Sequence, residues 1–253
     1  MRALTSKLYI NRIPDTMSYP QAALVEPISV ALGGIQRSGL RYGQPTLICG
    51  AGPIGLYALI LAKACGAYPI IVTDLAAHKL ERAKELGADL TLCCQPEWDG
   101  ERVGEEIKQL VQSHEEGLEI EVALECTGAQ TSFYGAGYGE SLSVQEIERS
   151  TYSSRASLHL LALQSGGTLM EIGNGHNNQP IPFQSLSMRE IDVRFLFRYI
   201  HTWPLVIRML GAGRLPGIES TITHTFKLEQ AVEAFELAAD ARGGSVKVQI
   251  VDI

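Results

Sequence analysis

Clusters of positive charge are missing from this sequence of 253 residues, and acidic residues outnumber basic ones. Asp and Glu together number 28, Lys and Arg number 21, and the formal net charge is −7. Proteins that bind nucleic acid or an anionic membrane surface usually depend on clustered Lys and Arg. We therefore predict that the chain has no nucleic-acid partner and no membrane partner.

Cysteine motifs are missing as well, because none of the five cysteines belongs to a CxxC pair. The cysteines fall in predicted helices and strands or at their ends, which favours buried thiols in a reducing compartment. This spacing disfavours the two alternatives, a disulfide framework and a cysteine metal site. The residues concerned are Cys49, Cys65, Cys93, Cys94 and Cys126.

No secretory signal follows Met1, so we expect an intracellular, cytoplasmic protein. The longest uncharged stretch, 42–62, has the length of a membrane span. It contains six glycines and prolines, however, and these favour a strand, a turn and a helix over a span. With 45% hydrophobic and 19% charged residues, the composition is that of a soluble globular protein.

A glycine-rich turn, 50–55, joins a short apolar run to a helical pattern. Gly50 suits a tight turn, Gly52 lets backbone amides approach phosphates, and Gly55 lets the helix pack against the strand. The helix N-terminus would then present free donors to an anion. Asp74 ends the next apolar run, 19 residues beyond Gly55, where an acidic residue accepts from an adenosine ribose. This order predicts dinucleotide binding.

Apolar runs and helical patterns alternate along most of the chain, which predicts an α/β fold with a doubly wound parallel sheet, the Rossmann architecture. We predict strands at 46–49, 69–74, 90–93, 119–126, 167–173, 191–197 and 245–251. We predict helices at about 19–37, 53–63, 76–86, 101–112, 205–211 and 228–238.

The connection between Gly128 and Gly166 is longer than this fold requires. It has 37 residues, whereas a crossover needs a helix of about 10–12 residues and two loops of about 2–6. The surplus falls at about 133–155, a stretch rich in Gly and Ser. We interpret it as an exposed loop without chemistry.

Several separated stretches together resemble the zinc-dependent medium-chain dehydrogenases. The match is closest to their polyol branch, the sorbitol, xylitol and fungal L-arabinitol 4-dehydrogenases. The resemblance covers nearly the whole chain apart from the surplus loop. It rests on Leu24-Val-Glu-Pro-Ile-Ser-Val, Cys49-Gly-Ala-Gly-Pro-Ile-Gly-Leu, Val72-Thr-Asp-Leu, Leu124-Glu-Cys-Thr-Gly, Phe197-Arg-Tyr with Thr202-Trp-Pro, Thr223-His with Phe226, and Ala231-Val-Glu-Ala-Phe-Glu.

The resemblance also implies something that the chain lacks. Members of this family begin with a GroES-like catalytic domain of about 150 residues, whose Cys and His-Glu hold the catalytic zinc. This chain begins just before the cofactor domain and contains no HxH or HxxxH pair, so zinc is expected for the family but its ligands are absent. We predict a remnant of the connection at 1–17, an NAD-binding Rossmann domain at 18–200, and a segment at 201–253 that completes the catalytic domain in the family.

Residue by residue, the resemblance implies a set of cofactor contacts. Ile54 would cover the pyrophosphate turn and Asp74 would take the adenosine ribose. Lys79 matches a family Arg beside that ribose, although a solvated helix charge is the alternative. Asp74 would repel a 2′-phosphate, so we expect NAD rather than NADP. The full set is Gly50, Gly52, Pro53, Ile54, Gly55, Asp74, Lys79, Cys126, Thr127, Ile172, Gly173, Asn174, Leu196 and Phe197.

Three further residues would face the substrate by the same resemblance. Glu26 resembles the acidic residue on the zinc side of the pocket, and Arg198 with Tyr199 resembles the pair that reaches substrate hydroxyls. Without the resemblance, Glu26 is an ordinary solvated helix residue and Arg198 an ordinary charge at a strand end.

The expected function is therefore NAD-dependent oxidation of a polyol or secondary alcohol such as L-arabinitol, xylitol or sorbitol. A non-catalytic NAD-binding or oligomerisation module, or a truncated paralogue recruited to another pathway, is the alternative. We also expect a homo-oligomer, because the terminal strand would leave an unpaired edge without the family's catalytic domain.

Overall fold

A six-stranded parallel sheet forms the centre of the computed structural model, which describes residues 10–128, 162–175, 181, 183–240 and 244–252. Its strands lie in the order β3-β2-β1-β4-β5-β6, so β1 to β3 are added toward one edge of the sheet and β4 to β6 toward the other. This is the order of a doubly wound dinucleotide fold, and it confirms the predicted fold class. The strands are β1 (Thr46–Cys49), β2 (Ile70–Asp74), β3 (Leu90–Cys93), β4 (Ile120–Glu125), β5 (Leu163–Glu171) and β6 (Asp192–Phe195).

Helices cover both faces of this sheet. They are α1 (Tyr19–Ala22), α2 (Val25–Ser38), α3 (Pro53–Ala64), α4 (Ala77–Glu85), α5 (Gly100–His114), α6 (Phe183–Met188), α7 (Trp203–Gly211) and α8 (Ala231–Ala239). The core on one face packs α2, α3, α4 and α7 against the sheet, and the core on the other packs α5 and α6. Residues 55–62 of α3 are all buried, because α3 lies between the sheet and α2.

The helix predicted at 19–37 is interrupted in the structure. Ser18 caps α1 through a capping box with Gln21, and a new helix, α2, begins at Val25. Pro27 explains the break, because its ring would clash with the carbonyl of Ala23 if the first helix continued. In α2 the same proline lies in the first turn, where no backbone donor is required.

A second, two-stranded sheet pairs β7 (Ile222–Lys227) with β8 (Lys247–Val251) in parallel, and α8 connects them. The sequence analysis did not predict β7 or α6. The terminal strand was expected to have no partner within this chain, and that expectation is wrong, because Phe226 pairs with Ile250. The predicted homo-oligomer therefore loses part of its basis and stays a prediction.

The start of β5 also differs from the prediction. The strand begins at Leu163, and its ladder with β4 is irregular between the pairs Ile120–Leu163 and Val122–Thr168, where Gly166 and Gly167 lie. The surplus loop at 133–155 lies outside the described residues.

None of the helices in the described ranges is both long enough and apolar enough to cross a membrane.

Candidate cofactor site

The candidate site lies at the carboxyl ends of β1 and its two neighbours, β2 and β4. In open α/β sheets, ligands bind where the strand order reverses, and here that point is between β1 and β4. The glycine turn, the residues after β4 and the residues after β5 all meet at this edge.

Two glycines of the turn are required by the protein itself. Gly50 is buried and has φ +95°, a left-handed conformation that favours glycine. A Cβ at Gly55 would lie 1.8 Å from the carbonyl oxygen of Gly50, so no side chain fits there. The predicted roles of these two glycines in the turn and in helix packing thus have a direct physical cause.

Gly52 differs from both, because a Cβ at this position would meet nothing within 4 Å. Its φ is −76°, which any residue adopts. Neither backbone strain nor packing requires glycine here, so the open space suits a ligand that approaches the backbone closely. Pro53 is the first residue of α3, and no side chain in the described part of the protein caps that helix. The amides of Ile54 and Gly55 are therefore available to an anion such as a pyrophosphate.

Asp74 holds the glycine turn in place. The amide of Ala51 donates to its Oδ2 (2.8 Å), and the amide of Ala76 donates to its Oδ1 (2.9 Å). The carboxylate is half-buried at the end of β2. A carboxylate offers about four lone-pair positions, so two remain for a ribose diol. Lys79 lies on α4, five residues further along, with a half-buried side chain.

The residues after β4 are held by a buried carboxylate that the sequence analysis did not single out. Glu125 is 1% exposed. The amides of Thr127 and Gly128 each donate to it at 2.9 Å, and the Thr127 hydroxyl donates as well. Two predicted cofactor contacts follow Glu125: Cys126 is half-buried, and Thr127 is exposed.

The turns after β4 and β5 are in close contact. A Cβ at Gly128 would lie 2.2 Å from the carbonyl oxygen of Asn174, and one at Gly173 would lie 2.6 Å from Glu125 Oε2. Ile172 is buried and Asn174 is exposed. The structure thus brings the predicted contacts after β4 and after β5 together at one edge of the sheet.

A second buried carboxyl lies beside the first. Glu171 ends β5, is 6% exposed, and pairs in register with Glu125. Burial, with the neighbouring Glu125 as the second cause, raises the pKa of Glu171 to about 9, so this carboxyl is protonated at neutral pH. Its Oε1 is buried and has no hydrogen-bond partner among the described residues.

Two adjacent glycines of α2 let this helix approach the site, and the sequence analysis missed them too. A Cβ at Gly34 would lie 2.3 Å from Ile172 Cδ1, and one at Gly33 would lie 3.3 Å from Leu196 Cδ2. Leu196 is half-buried, whereas Phe197 is 80% exposed. A glycine pair within a helical pattern was the available signal, because glycine there indicates close packing.

Two of the three predicted substrate residues, Arg198 and Tyr199, follow the end of β6, and the third, Glu26, lies at the start of α2. Arg198 is exposed, has φ +60°, and lies 5.5 Å from the ring of Phe197. Tyr199 is half-buried, with its ring 5.7 Å from that of Trp203. Glu26 is exposed in the first turn of α2. The φ of Arg198 indicates local backbone strain, which often accompanies functional sites.

Metal ligands are a separate question from the cofactor turns. A catalytic zinc takes about three protein ligands. Within the described ranges, no three His, Cys, Asp or Glu side chains come together in a way that could hold a metal ion. The described residues therefore fit a dinucleotide but not the zinc of the family.

Comparisons with known proteins agree with this geometry. Residues 53–136 match a family model described as zinc-binding dehydrogenase. L-arabinitol 4-dehydrogenase of Aureobasidium melanogenum is 40% identical over 243 residues, which cover 96% of this chain and 58% of that protein. Sorbitol dehydrogenase of Mus musculus is 37% identical over 242 residues, covering 94% and 58%.

The structure of 2R,3R-butanediol dehydrogenase from Bacillus subtilis has the same fold, with a TM-score of 0.74 at 23% identity, over 96% of this chain and 60% of that chain. The chain thus spans about 58% of the length of the curated relatives that it matches. These matches confirm the resemblance read from the sequence motifs. The chain belongs to the zinc-type medium-chain dehydrogenase family, in the branch that contains the sorbitol and L-arabinitol dehydrogenases.

Proposed function

We propose that this chain binds NAD and forms the cofactor-binding part of a dehydrogenase that oxidises a polyol or another secondary alcohol to a ketone. The observation that carries the proposal is the open space at Gly52 beside the uncapped start of α3. A glycine that neither packing nor backbone conformation requires is explained by a close ligand. Relatives named for sorbitol and L-arabinitol support the substrate class.

NAD is preferred over NADP because of Asp74. Its carboxylate is fixed by the amides of Ala51 and Ala76, so it cannot move away from a ribose bound at the end of β2. A phosphate on the 2′-hydroxyl would be repelled by this negative charge. Lys79 would supply a positive charge beside the ribose, without the planar donors of an arginine.

The remaining cofactor contacts would hold the nicotinamide end. Ile172, Gly173 and Asn174 would line one side of the ring, while Leu196 and Phe197 would lie beneath it. A bound nicotinamide would supply hydride-transfer chemistry, and these residues would orient its ring. Arg198, Tyr199 and Glu26 would bind or orient substrate hydroxyls. Deprotonation of the alcohol is not assigned to any described residue.

The proposed domain division follows from the family. Residues 18–200 would form the NAD-binding domain, 1–17 a connection, and 201–253 a part of the catalytic domain. We also propose a homo-oligomer, since Phe195, Phe197 and other large apolar side chains are exposed. Static light scattering is the measurement, and a strictly monomeric species at high protein concentration would count against this assembly.

A non-catalytic NAD-binding module is the second candidate, and the lack of a three-ligand metal group in the described ranges favours it. Turnover separates the two. The purified chain is incubated with NAD and L-arabinitol, xylitol or sorbitol, with and without zinc, and NADH is followed by absorbance. NADH formation above background supports the enzyme. NAD binding without any NADH under all these conditions would leave the binding module.

A further inference from the structure

The carboxyl ends of three neighbouring strands carry a row of titratable side chains. Cys49 pairs in register with Glu125, and Glu125 pairs with Glu171. Residues in register on neighbouring strands point to the same face of the sheet. All three residues are buried or nearly so, and they lie directly before the turns that form the candidate cofactor site.

This row contains one negative charge at neutral pH. Glu125 accepts three hydrogen bonds from Thr127 and Gly128, which use both of its carboxyl oxygens as acceptors, and its charge is one cause of the raised pKa of Glu171. Glu171 holds its proton, because burial and the adjacent charge raise its pKa to about 9. Burial also raises the pKa of the Cys49 and Cys126 thiols well above their usual value, so both stay neutral.

No positive charge compensates this carboxylate within the described part of the chain. The ion pairs found there do not include Glu125 or Glu171. The row faces the core layer of α5 and α6, whose buried side chains are apolar, among them Val103, Ile107 and Leu186. The three hydrogen bonds to Glu125 offset part of the cost of burying this charge, and a ligand of opposite charge would offset more of it.

We propose that Glu125 and Glu171 form a buried acid pair that carries a single negative charge behind the nicotinamide-binding turns and favours the oxidised, positively charged ring over the reduced, neutral one. This inference rests on the proposed function, since it assumes that NAD binds at these turns. Glu125 acts in two ways: its hydrogen bonds position the turn after β4, and its charge attracts the cationic nicotinamide. Glu171 keeps the pair at one charge.

The test measures dissociation constants for NAD⁺ and NADH separately, by calorimetry on the full chain at about pH 7.5. Glu125→Gln should weaken NAD⁺ about tenfold and NADH clearly less, because only the oxidised ring carries the charge that is attracted. Glu171→Gln is the matched control, since it is the same substitution at the adjacent position but removes no charge. It should leave the ratio of the two constants within about twofold, because a neutral amide replaces a neutral carboxyl. Glu125→Asp keeps the charge and should retain the preference for NAD⁺.

Raising the pH gives an independent readout that a purely structural role would not change. Above about pH 9, ionisation of Glu171 adds a second negative charge, so NAD⁺ should gain affinity relative to NADH in the unaltered chain. The ratio should stay constant in Glu171→Gln. If Glu125→Gln does not fold, this comparison alone decides, and a pH-independent ratio in the unaltered chain would overturn the proposal.

Thermal unfolding tests the pair without any cofactor. Between the unfolded pKa of Glu171, about 4.5, and the folded value of about 9, the folded chain holds one more proton than the unfolded chain. The contribution of Glu171 to stability should therefore be fully present below this range and be lost as the pH rises through it. Glu171→Gln should flatten that fall.

The binding experiment separates the two proposals. If the unaltered chain binds neither NAD⁺ nor NADH, the proposed function fails, whereas equal weakening of both by Glu125→Gln overturns only this inference.

Discussion

At the scale of single residues, two glycines of the same turn should respond in opposite ways to substitution. Gly52→Ala should fold with unchanged stability, because its Cβ meets nothing within 4 Å, but it should weaken NAD binding about tenfold or more. Gly55→Ala should destabilise the fold by about 1–3 kcal/mol or more, since its Cβ would lie 1.8 Å from the Gly50 oxygen.

Chemical denaturation and NAD titration of both variants check this contrast. Each variant serves as the control for the other, because they differ only in position within one turn. Normal NAD affinity in Gly52→Ala would show that no ligand approaches this glycine, and the phosphate assignment would then be wrong.

Asp74 gives a second prediction at the same scale. Asp74→Ala removes the acceptor for a ribose and also the acceptor for the Ala51 amide, so NAD binding should weaken by about tenfold or more. Binding of NADP should weaken less, because the repulsion of its 2′-phosphate is lost as well. Fluorescence titration with NADH and NADPH measures both. An unchanged preference between the two cofactors would rule out the ribose assignment.

At the scale of elements, α5 depends on its N-cap. Asp99 accepts a hydrogen bond from the amide of Arg102 (2.9 Å), and Asp99→Ala should cost about 1 kcal/mol of stability. For a chain of this size that is a fall of about 2–4 °C in the melting temperature. Glu97→Ala, at an exposed position just before the helix, is the control and should change nothing. An equal melting temperature for Asp99→Ala would show that the cap does not stabilise α5.

The elements also show which structural features the sequence could predict. Strands β1 to β4 and the glycine turn were predicted because their signals are local: short apolar runs that end in polar residues, glycine or proline. The interruption at Pro27 was missed although the proline is visible, because the helical pattern on both sides is continuous. Strand β7 was missed because its pairing with β8 depends on residues about 25 positions further along the chain.

The same reasoning applies to the site. Asp74 could be identified from the number of residues that separate it from Gly55 in the sequence. The pairing of Glu125 with Glu171, in contrast, depends on the register of two strands that the long connection separates. A carboxylate as the last residue of an apolar strand was the available signal. Gly33 and Gly34 likewise acquire meaning only when α2 lies against Leu196 and Ile172.

At the scale of the whole molecule, the chain has the fold of the dinucleotide-binding part of its family. The six-stranded sheet brings the glycine turn and the turns after β4 and β5 together at one edge. The chain nevertheless spans about 58% of the length of its curated relatives, and its described residues bring no zinc ligands together. Cofactor binding is thus the part of the proposed function that the described turns support most directly.

The most direct test of this account is a calorimetric titration of the unaltered full chain with NAD and, separately, with NADP. The account predicts one NAD site per chain and an NADP affinity at least about tenfold lower, because the Asp74 carboxylate repels the 2′-phosphate. Absence of binding by either cofactor, or tighter binding of NADP than of NAD, would contradict it.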